Sequence, residues 1–165
     1  MKKITVYQVK DFIFTDKAEA KFIEEMLSRT TDNAYTFETF STVGDKSYTN
    51  IYKRIGAYEA GDRMIKYFLL TVCDKKCTKK DYLLKCIYDR RENSFYVYKK
   101  ASVGNMTRHF EWNDITQKKQ NQTIKEIKEK PLPDMTKFNQ LVEAAIENMD
   151  MCKKEEWEII NNRKE

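Results

Sequence analysis

The fold is decided by residues 64–102, which have the sequence MIKYFLLTVCDKKCTKKDYLLKCIYDRRENSFYVYKKAS. Three runs rich in aromatic and branched residues, at 64–73, 81–89 and 94–102, are separated only by the short polar stretches DKKCTKK and RREN. Such residues favour strands, and consecutive strands joined by short connections pair antiparallel. We therefore predict a three-stranded antiparallel meander over about 64–101.

Amphipathic helices are predicted before and after this meander. The N-terminal helix covers about 16–29, where Asp16 and Glu19 have the spacing of a capping box. The C-terminal helix covers about 134–160 and follows the prolines of PLPD, which oppose continued helix. Its apolar face consists of Met135, Phe138, Leu141, Val142, Ala145, Ile146 and Met149, extended by Trp157 and Ile160.

The remaining segments predict further strands and a connector. Residues 4–9 and 35–43 alternate apolar and polar side chains, which is typical of strands. Residues 47–62 contain both strand and helix spacings, and we favour extended structure to about residue 55 followed by an irregular stretch. Residues 113–133 form a polar connector with few apolar positions.

Length and composition set the class of protein. A chain of 165 residues with 41% hydrophobic residues suits one folded domain, 1–165. We expect an α+β fold in which the antiparallel sheet carries both helices on one face. No apolar run approaches the roughly 18 residues of a membrane span, and the N-terminus has no signal-peptide pattern. A cytoplasmic protein without membrane contact is the expectation.

Amino-acid usage indicates the kind of genome. Lys, Asn, Ile, Tyr and Phe, whose codons are rich in A and T, total 66 residues, against 21 for Gly, Ala, Pro and Arg. This bias is typical of low-GC bacteria with their phages and other mobile elements, and of several eukaryotic parasites.

Four cysteines raise the question of a metal site. Cys73 and Cys77 are close in sequence, but Cys86 and Cys152 supply no second close pair, and His109 is the single histidine. Structural zinc sites usually combine two close pairs, and redox motifs favour Cys-x-x-Cys at the start of a helix. We therefore expect structural thiols, with no metal and no other cofactor.

Patterns typical of catalysis are weak. His109 has no recognisable nucleophile motif to serve, and the four glycines form no phosphate-binding loop. Adjacent carboxylates such as Glu24 and Glu25 diverge by about 100° around a helix and are expected to be solvated. The expectation is a non-enzymatic protein with no catalytic residues, although small folds also assemble active sites from residues that form no motif.

The basic charge is concentrated in the meander. Residues 61–100 hold eleven basic and five acidic side chains, a surplus of six, whereas residues 1–60 hold nine of each. Antiparallel pairing sends Arg90 and Arg91 to one end of the sheet. It brings six lysines to the other end, namely Lys75, Lys76, Lys79, Lys80, Lys99 and Lys100. These lysines are candidates for contact with phosphates, and the alternative is that they only keep the end of the sheet soluble.

Tyrosines of the meander are a second candidate contact. Tyr82 and Tyr88 share one strand face, as do Tyr96 and Tyr98. These rings could stack on bases or pack against a protein, and the alternative is that they belong to the core. We take Tyr96 and Tyr98 as the candidate binding residues, with their alanine variants as the test.

Three functional hypotheses follow. The first is a protein that binds and modulates or inhibits a larger protein or ribonucleoprotein, encoded by a phage or other mobile element of a low-GC bacterium. The second is a nucleic-acid-binding module that uses Lys75, Lys76, Lys79 and Lys80. The third is a small-molecule-binding or enzymatic α+β fold, which needs a deep pocket between the sheet and a helix.

Overall fold

A computed structural model describes residues 3, 5–30, 36–76, 78–102, 111–116 and 122–148. In chain order its elements are β1 (Tyr7–Val9), β2 (Phe12–Phe14), α1 (Lys17–Arg29), β3 (Thr36–Val43), β4 (Lys46–Ala60), β5 (Arg63–Asp74), β6 (Lys79–Asp89), β7 (Ser94–Ala101), β8 (Asn113–Asp114), α2 (Gln122–Glu129) and α3 (Asp134–Asn148).

The central element is a six-stranded antiparallel sheet in which each strand pairs with the next along the chain, from β3 to β8. A separate antiparallel hairpin is formed by β1 and β2. The predicted meander corresponds to β5, β6 and β7, and the α+β fold class is confirmed. Short polar turns connect the long strands, so their order in the sheet follows their order in the sequence.

The helices cover opposite faces of the sheet, so the expectation that both pack on one face is wrong. Neighbouring residues of β5 show this: the Tyr67 hydroxyl donates to Glu19 of α1, and the Lys66 ammonium donates to Asn139 of α3. All five residues from Met64 to Phe68 are buried. A strand that is buried on both faces requires cover on both faces.

Each face has its own core. On the face covered by α1 and the β1–β2 hairpin (the α1 face), the buried residues are Val9, Phe12, Phe14, Ala20, Ile23, Leu27, Ile55, Ile65, Tyr67 and Leu83. On the face covered by α2 and α3 (the α3 face), they include Tyr52, Met64, Phe68, Leu70, Leu84, Val97, Phe138, Leu141 and Ile146. The sheet is therefore the middle of three layers.

Strand β4 continues beyond the predicted limit near residue 55. Its pairing with β5 shifts between Arg54 and Gly56, which marks a β-bulge, and then resumes to Ala60. A side chain at Gly56 would place its Cβ 2.7 Å from the Cγ and Sδ atoms of Met26. The bulge and the glycine let α1 approach the sheet closely at this point.

The helix boundaries follow the predicted caps. The Asp16 carboxylate accepts hydrogen bonds from the N–H groups of Ala18 and Glu19 at 2.9 and 3.2 Å, which fixes the start of α1. Helix α3 is described to Asn148, and the predicted extension to residue 160 lies outside the described residues. The polar connector contains β8 and α2, with two isoleucines of α2 buried.

Candidate functional site

Exposed lysines gather at one end of the sheet. Tyr48 near the start of β4 lies opposite Asp74 at the end of β5, so the β3–β4 and β5–β6 turns project from the same end. We call this the lysine end, and its exposed basic residues are Lys46, Lys75, Lys76 and Lys79. Within the described part of the chain, none of the four forms an ion pair. The predicted group thus gains Lys46, while the side chain of Lys80 is half-buried.

Carboxylates at the lysine end bind local partners. One Asp74 oxygen accepts from the backbone N–H groups of Lys76 and Thr78, each at 2.9 Å, and so shapes the turn. An oxygen of Asp81 accepts from the Thr71 hydroxyl at 2.8 Å. These hydrogen bonds engage Asp74 with the backbone of the turn and Asp81 with a neighbouring strand.

The opposite end of the sheet is charge-compensated. Arg63 lies 3.8 Å from the Asp89 carboxylate, and Arg90 lies 3.8 Å from the Glu59 carboxylate. Arg90 also donates to the Gly61 carbonyl at 2.6 Å. Of the two arginines predicted there, Arg90 thus binds the protein itself, whereas Arg91 is exposed.

Lys99 and Lys100 are buried, at 3% and 0% exposure, and do not belong to the exposed group in which the sequence placed them. The Lys99 ammonium lies 4.9 Å from the Tyr82 ring on the α3 face. The Lys100 ammonium donates to the Ile13 carbonyl at 2.7 Å. Both residues do lie near the predicted end of β7, but the pleat directs their side chains into the two cores.

The four tyrosines divide between the two faces. Tyr82 and Tyr88 are buried in the core of the α3 face. Tyr96 and Tyr98 are half-buried on the α1 face, with ring centroids 6.5 Å apart, and the Lys85 ammonium lies 5.8 Å from the Tyr98 ring. The two pairs therefore do not form one aromatic surface.

Phe40 is an exposed aromatic residue that sequence reasoning did not single out. Its side chain is 79% exposed. Strand register places Phe40 opposite Thr49, Thr49 opposite Cys73, and Cys73 opposite Lys79. Three strand spacings separate Phe40 from Lys79, roughly 14 Å. The alternating sequence of β3 predicted a strand, but it could not say which face lacks cover.

A partly buried polar network lies between α1 and the sheet. The Glu19 carboxylate accepts from the Tyr67 hydroxyl at 2.8 Å, the Lys85 ammonium at 2.8 Å and the Trp112 indole N–H at 2.6 Å. The Lys85 ammonium also lies 4.3 Å from the centroid of the Trp112 ring. Burial together with the Glu19 charge raises the pKa of Tyr67. Because each of these polar groups has a partner, we assign the network to stability.

A cleft lies between the sheet and α3, on the opposite face from this network. We call it the α3 cleft. Its volume is about 560 Å³, and it is lined by Phe37, Glu38, Thr39, Arg54, Lys66, Phe68, Asn139, Val142, Glu143 and Ile146. Lys66 is 8% exposed and donates to the Asn139 side-chain oxygen. Burial, together with the positive charge of Arg54, lowers the pKa of Lys66.

The described cysteines lie too far apart to share a metal ion. Cys86 lies opposite Lys66, seven residues along β5 from Cys73, which corresponds to roughly 23 Å. Burial raises the pKa of the Cys86 thiol to about 12. Cys77, Cys152 and His109 lie outside the described residues. Within the described ranges, no three His, Cys, Asp or Glu side chains are grouped to hold a metal ion.

None of the described helices combines the length and the apolar character needed to cross a membrane. No protein-family model, no curated protein and no solved structure matches the chain.

Proposed function

We propose that the protein is a non-enzymatic binding protein that docks its lysine end on an acidic surface of a larger protein and thereby modulates that protein. The observation that carries this proposal is the set of exposed lysines, Lys46, Lys75, Lys76 and Lys79, which form no ion pair within the described residues. An acidic partner surface would supply the charges that these four ammonium groups lack.

Phe40 supports a protein partner over a nucleic acid. A large exposed aromatic side chain beside a charged patch is typical of the anchor residues of protein interfaces. Proteins that bind single-stranded nucleic acid usually present several stacking rings along the groove. Here Tyr82 and Tyr88 are buried and Phe40 is the aromatic residue most exposed among the described residues.

The test compares charge reversal at the lysine end with the same charge change elsewhere. The lysine-end variant carries Lys75→Glu, Lys76→Glu and Lys79→Glu. The control carries Lys21→Glu, Arg91→Glu and Lys125→Glu, three exposed basic residues away from that end. A partner is isolated with the full chain from nuclease-treated extract of the source cell, purified, and titrated against each variant by isothermal calorimetry.

We expect the lysine-end variant to lose at least a hundredfold in affinity, Phe40→Ala to lose at least tenfold, and the control to bind like the wild type. Equal binding by the lysine-end variant and the wild type would overturn the proposal. Loss of the partner on nuclease treatment, together with binding of single-stranded RNA that weakens steeply with salt, would replace it with the nucleic-acid hypothesis.

A further inference from the structure

The α3 cleft contains a buried cation, Lys66, that forms no ion pair among the described residues, although the exposed Glu143 carboxylate raises its pKa. Lys66 lies on the central strand β5, where its ammonium donates to a neutral amide oxygen of Asn139 and lies 5.2 Å from the Phe138 ring. Within the described residues no carboxylate forms an ion pair with Lys66. Placing an ammonium group in a buried site without a counter-charge is costly.

A second cation faces the same cleft. Arg54 lies opposite Phe68, two residues along β5 from Lys66, so the two basic side chains are diagonal neighbours on the α3 face. Like charges at this separation repel each other, and a bound anion would relieve that repulsion as well as the burial of Lys66. The two cations and the Asn139 amide therefore form an anion-binding corner of the cleft.

The rest of the cleft is suited to an apolar group. Phe68, Val142 and Ile146 are buried and line it from the sheet and from α3, with Phe37 at the edge strand. Its volume of about 560 Å³ falls within the range of roughly 300–1,000 Å³ that is usual for small-molecule sites. A ligand for this cleft thus needs an anionic head and an apolar body.

An acidic residue limits the charge of the ligand. Glu143 lines the cleft at an exposed position. Its carboxylate would repel a ligand with several negative charges, such as a nucleoside triphosphate, more strongly than one with a single charge. We propose that the α3 cleft binds an amphiphilic monocarboxylate, with the carboxylate on Lys66, Arg54 and Asn139 and the apolar body against Phe37, Phe68, Val142 and Ile146.

Octanoate is a suitable probe, and 1-octanol is its uncharged analogue. Each is titrated into the ¹⁵N-labelled full chain while the backbone amides are followed by NMR. We expect octanoate to shift the amides of Lys66, Phe68, Asn139 and Val142 in a saturable manner. We expect 1-octanol to bind at least tenfold more weakly, and ATP not to displace octanoate.

Lys66→Met keeps the unbranched side chain and removes the charge, and it should weaken octanoate binding at least tenfold. Arg54→Gln, at an exposed position, provides a second variant that does not disturb the core and should weaken binding severalfold. Lys21→Met, at an exposed position of α1 on the opposite face of the sheet, is the control and should bind octanoate like the wild type.

Three results would overturn the proposal. They are equal octanoate affinity in Lys66→Met and the wild type, equal affinity of the wild type for octanoate and 1-octanol, and the absence of saturable shifts at the cleft amides. Displacement of octanoate by ATP would overturn the inference that the cleft prefers ligands with a single negative charge. All of these results are independent of binding at the lysine end, so failure of one proposal does not imply failure of the other.

Discussion

The two faces of the sheet each hold a lysine of the central strands, but they surround its charge differently. On the α1 face, the half-buried Lys85 lies 2.8 Å from the Glu19 carboxylate, with side-chain exposures of 15% and 13%. On the α3 face, the buried Lys66 donates to the neutral Asn139 side chain, while Arg54 lowers its pKa and Glu143 raises it. The first lysine has an ion-pair partner, and the second forms no ion pair among the described residues.

This difference separates a structural polar group from a candidate binding group. A buried ion pair with further hydrogen bonds is satisfied within the protein, and breaking it from one side leaves a buried charge. A buried cation without a carboxylate partner contributes little stability and retains its capacity to bind an anion. We therefore infer that Glu19 and Lys85 stabilise the folded protein, and that Lys66 serves to bind a ligand.

The largest expected effect comes from breaking the α1-face network. Glu19→Ala would remove the acceptor for Lys85, Tyr67 and Trp112, and we expect it to lower the free energy of unfolding by about 3–5 kcal/mol. Lys66→Met should leave the free energy of unfolding unchanged or raise it, because it removes a buried charge that forms no ion pair among the described residues. Urea denaturation of both variants measures the contrast.

Glu24→Ala, at an exposed position of the same helix, is the control and should stay within about 0.5 kcal/mol of the wild type. If Lys66→Met destabilises the protein as much as Glu19→Ala, then Lys66 is a structural residue and the contrast between the faces disappears.

Much of the fold was accessible from the sequence because it depends on local patterns. The strand runs and short turns gave the meander, and Asp16 gave the start of α1. The assignment of faces was not accessible. Since β5 is apolar on both faces, alternation could not indicate which residues face which helix, and only the strand register resolves this.

The candidate site shows the same limit. Lys75, Lys76 and Lys79 are exposed as expected because turns project from a sheet, whereas Lys80 is half-buried. Lys46 joins the exposed lysines only through the pairing of β4 with β5. Lys66, Lys99 and Lys100 are buried in strands whose sequence gives no sign of it. Glu19 was predicted from its capping-box spacing, whereas its side chain reaches across to the sheet. Long polar side chains bridge layers, and periodicity does not report such contacts.

The cores of the two faces provide a second test of the comparison, with a smaller expected effect. Ile23 of α1 and Leu141 of α3 are both 0% exposed. Ile23→Ala and Leu141→Ala should each lower the free energy of unfolding by about 2–5 kcal/mol, since both leave a cavity. Met135→Ala, at 49% exposure, is the control for the helix of the α3 face and should have little effect. Thermal unfolding monitored by circular dichroism is the measurement, and unchanged stability of Leu141→Ala would exclude α3 from the core.

The smallest expected effect concerns Lys100, a fully buried lysine that lies on the α1 face near the Glu19–Lys85 pair. Burial lowers the pKa of Lys100 from 10.5 to about 8, with Lys85 also lowering it and Glu19 and Glu111 raising it. Between these pH values the unfolded chain holds a proton that the folded chain has released. Raising the pH through this interval therefore favours the folded state.

Lys100→Met removes this titration while keeping an unbranched side chain over the Phe14 and Trp112 rings. The free energy of unfolding of the wild type, relative to that of Lys100→Met, should increase as the pH rises from about 8 toward 10.5 and level off above that value. Urea denaturation of both proteins at several pH values gives this difference, in which the titration of other groups cancels. If the difference in free energy of unfolding between the wild type and Lys100→Met stays constant or falls as the pH rises, then the Glu19 carboxylate neutralises Lys100 as well as Lys85. The α1 face would in that case compensate both of its lysines.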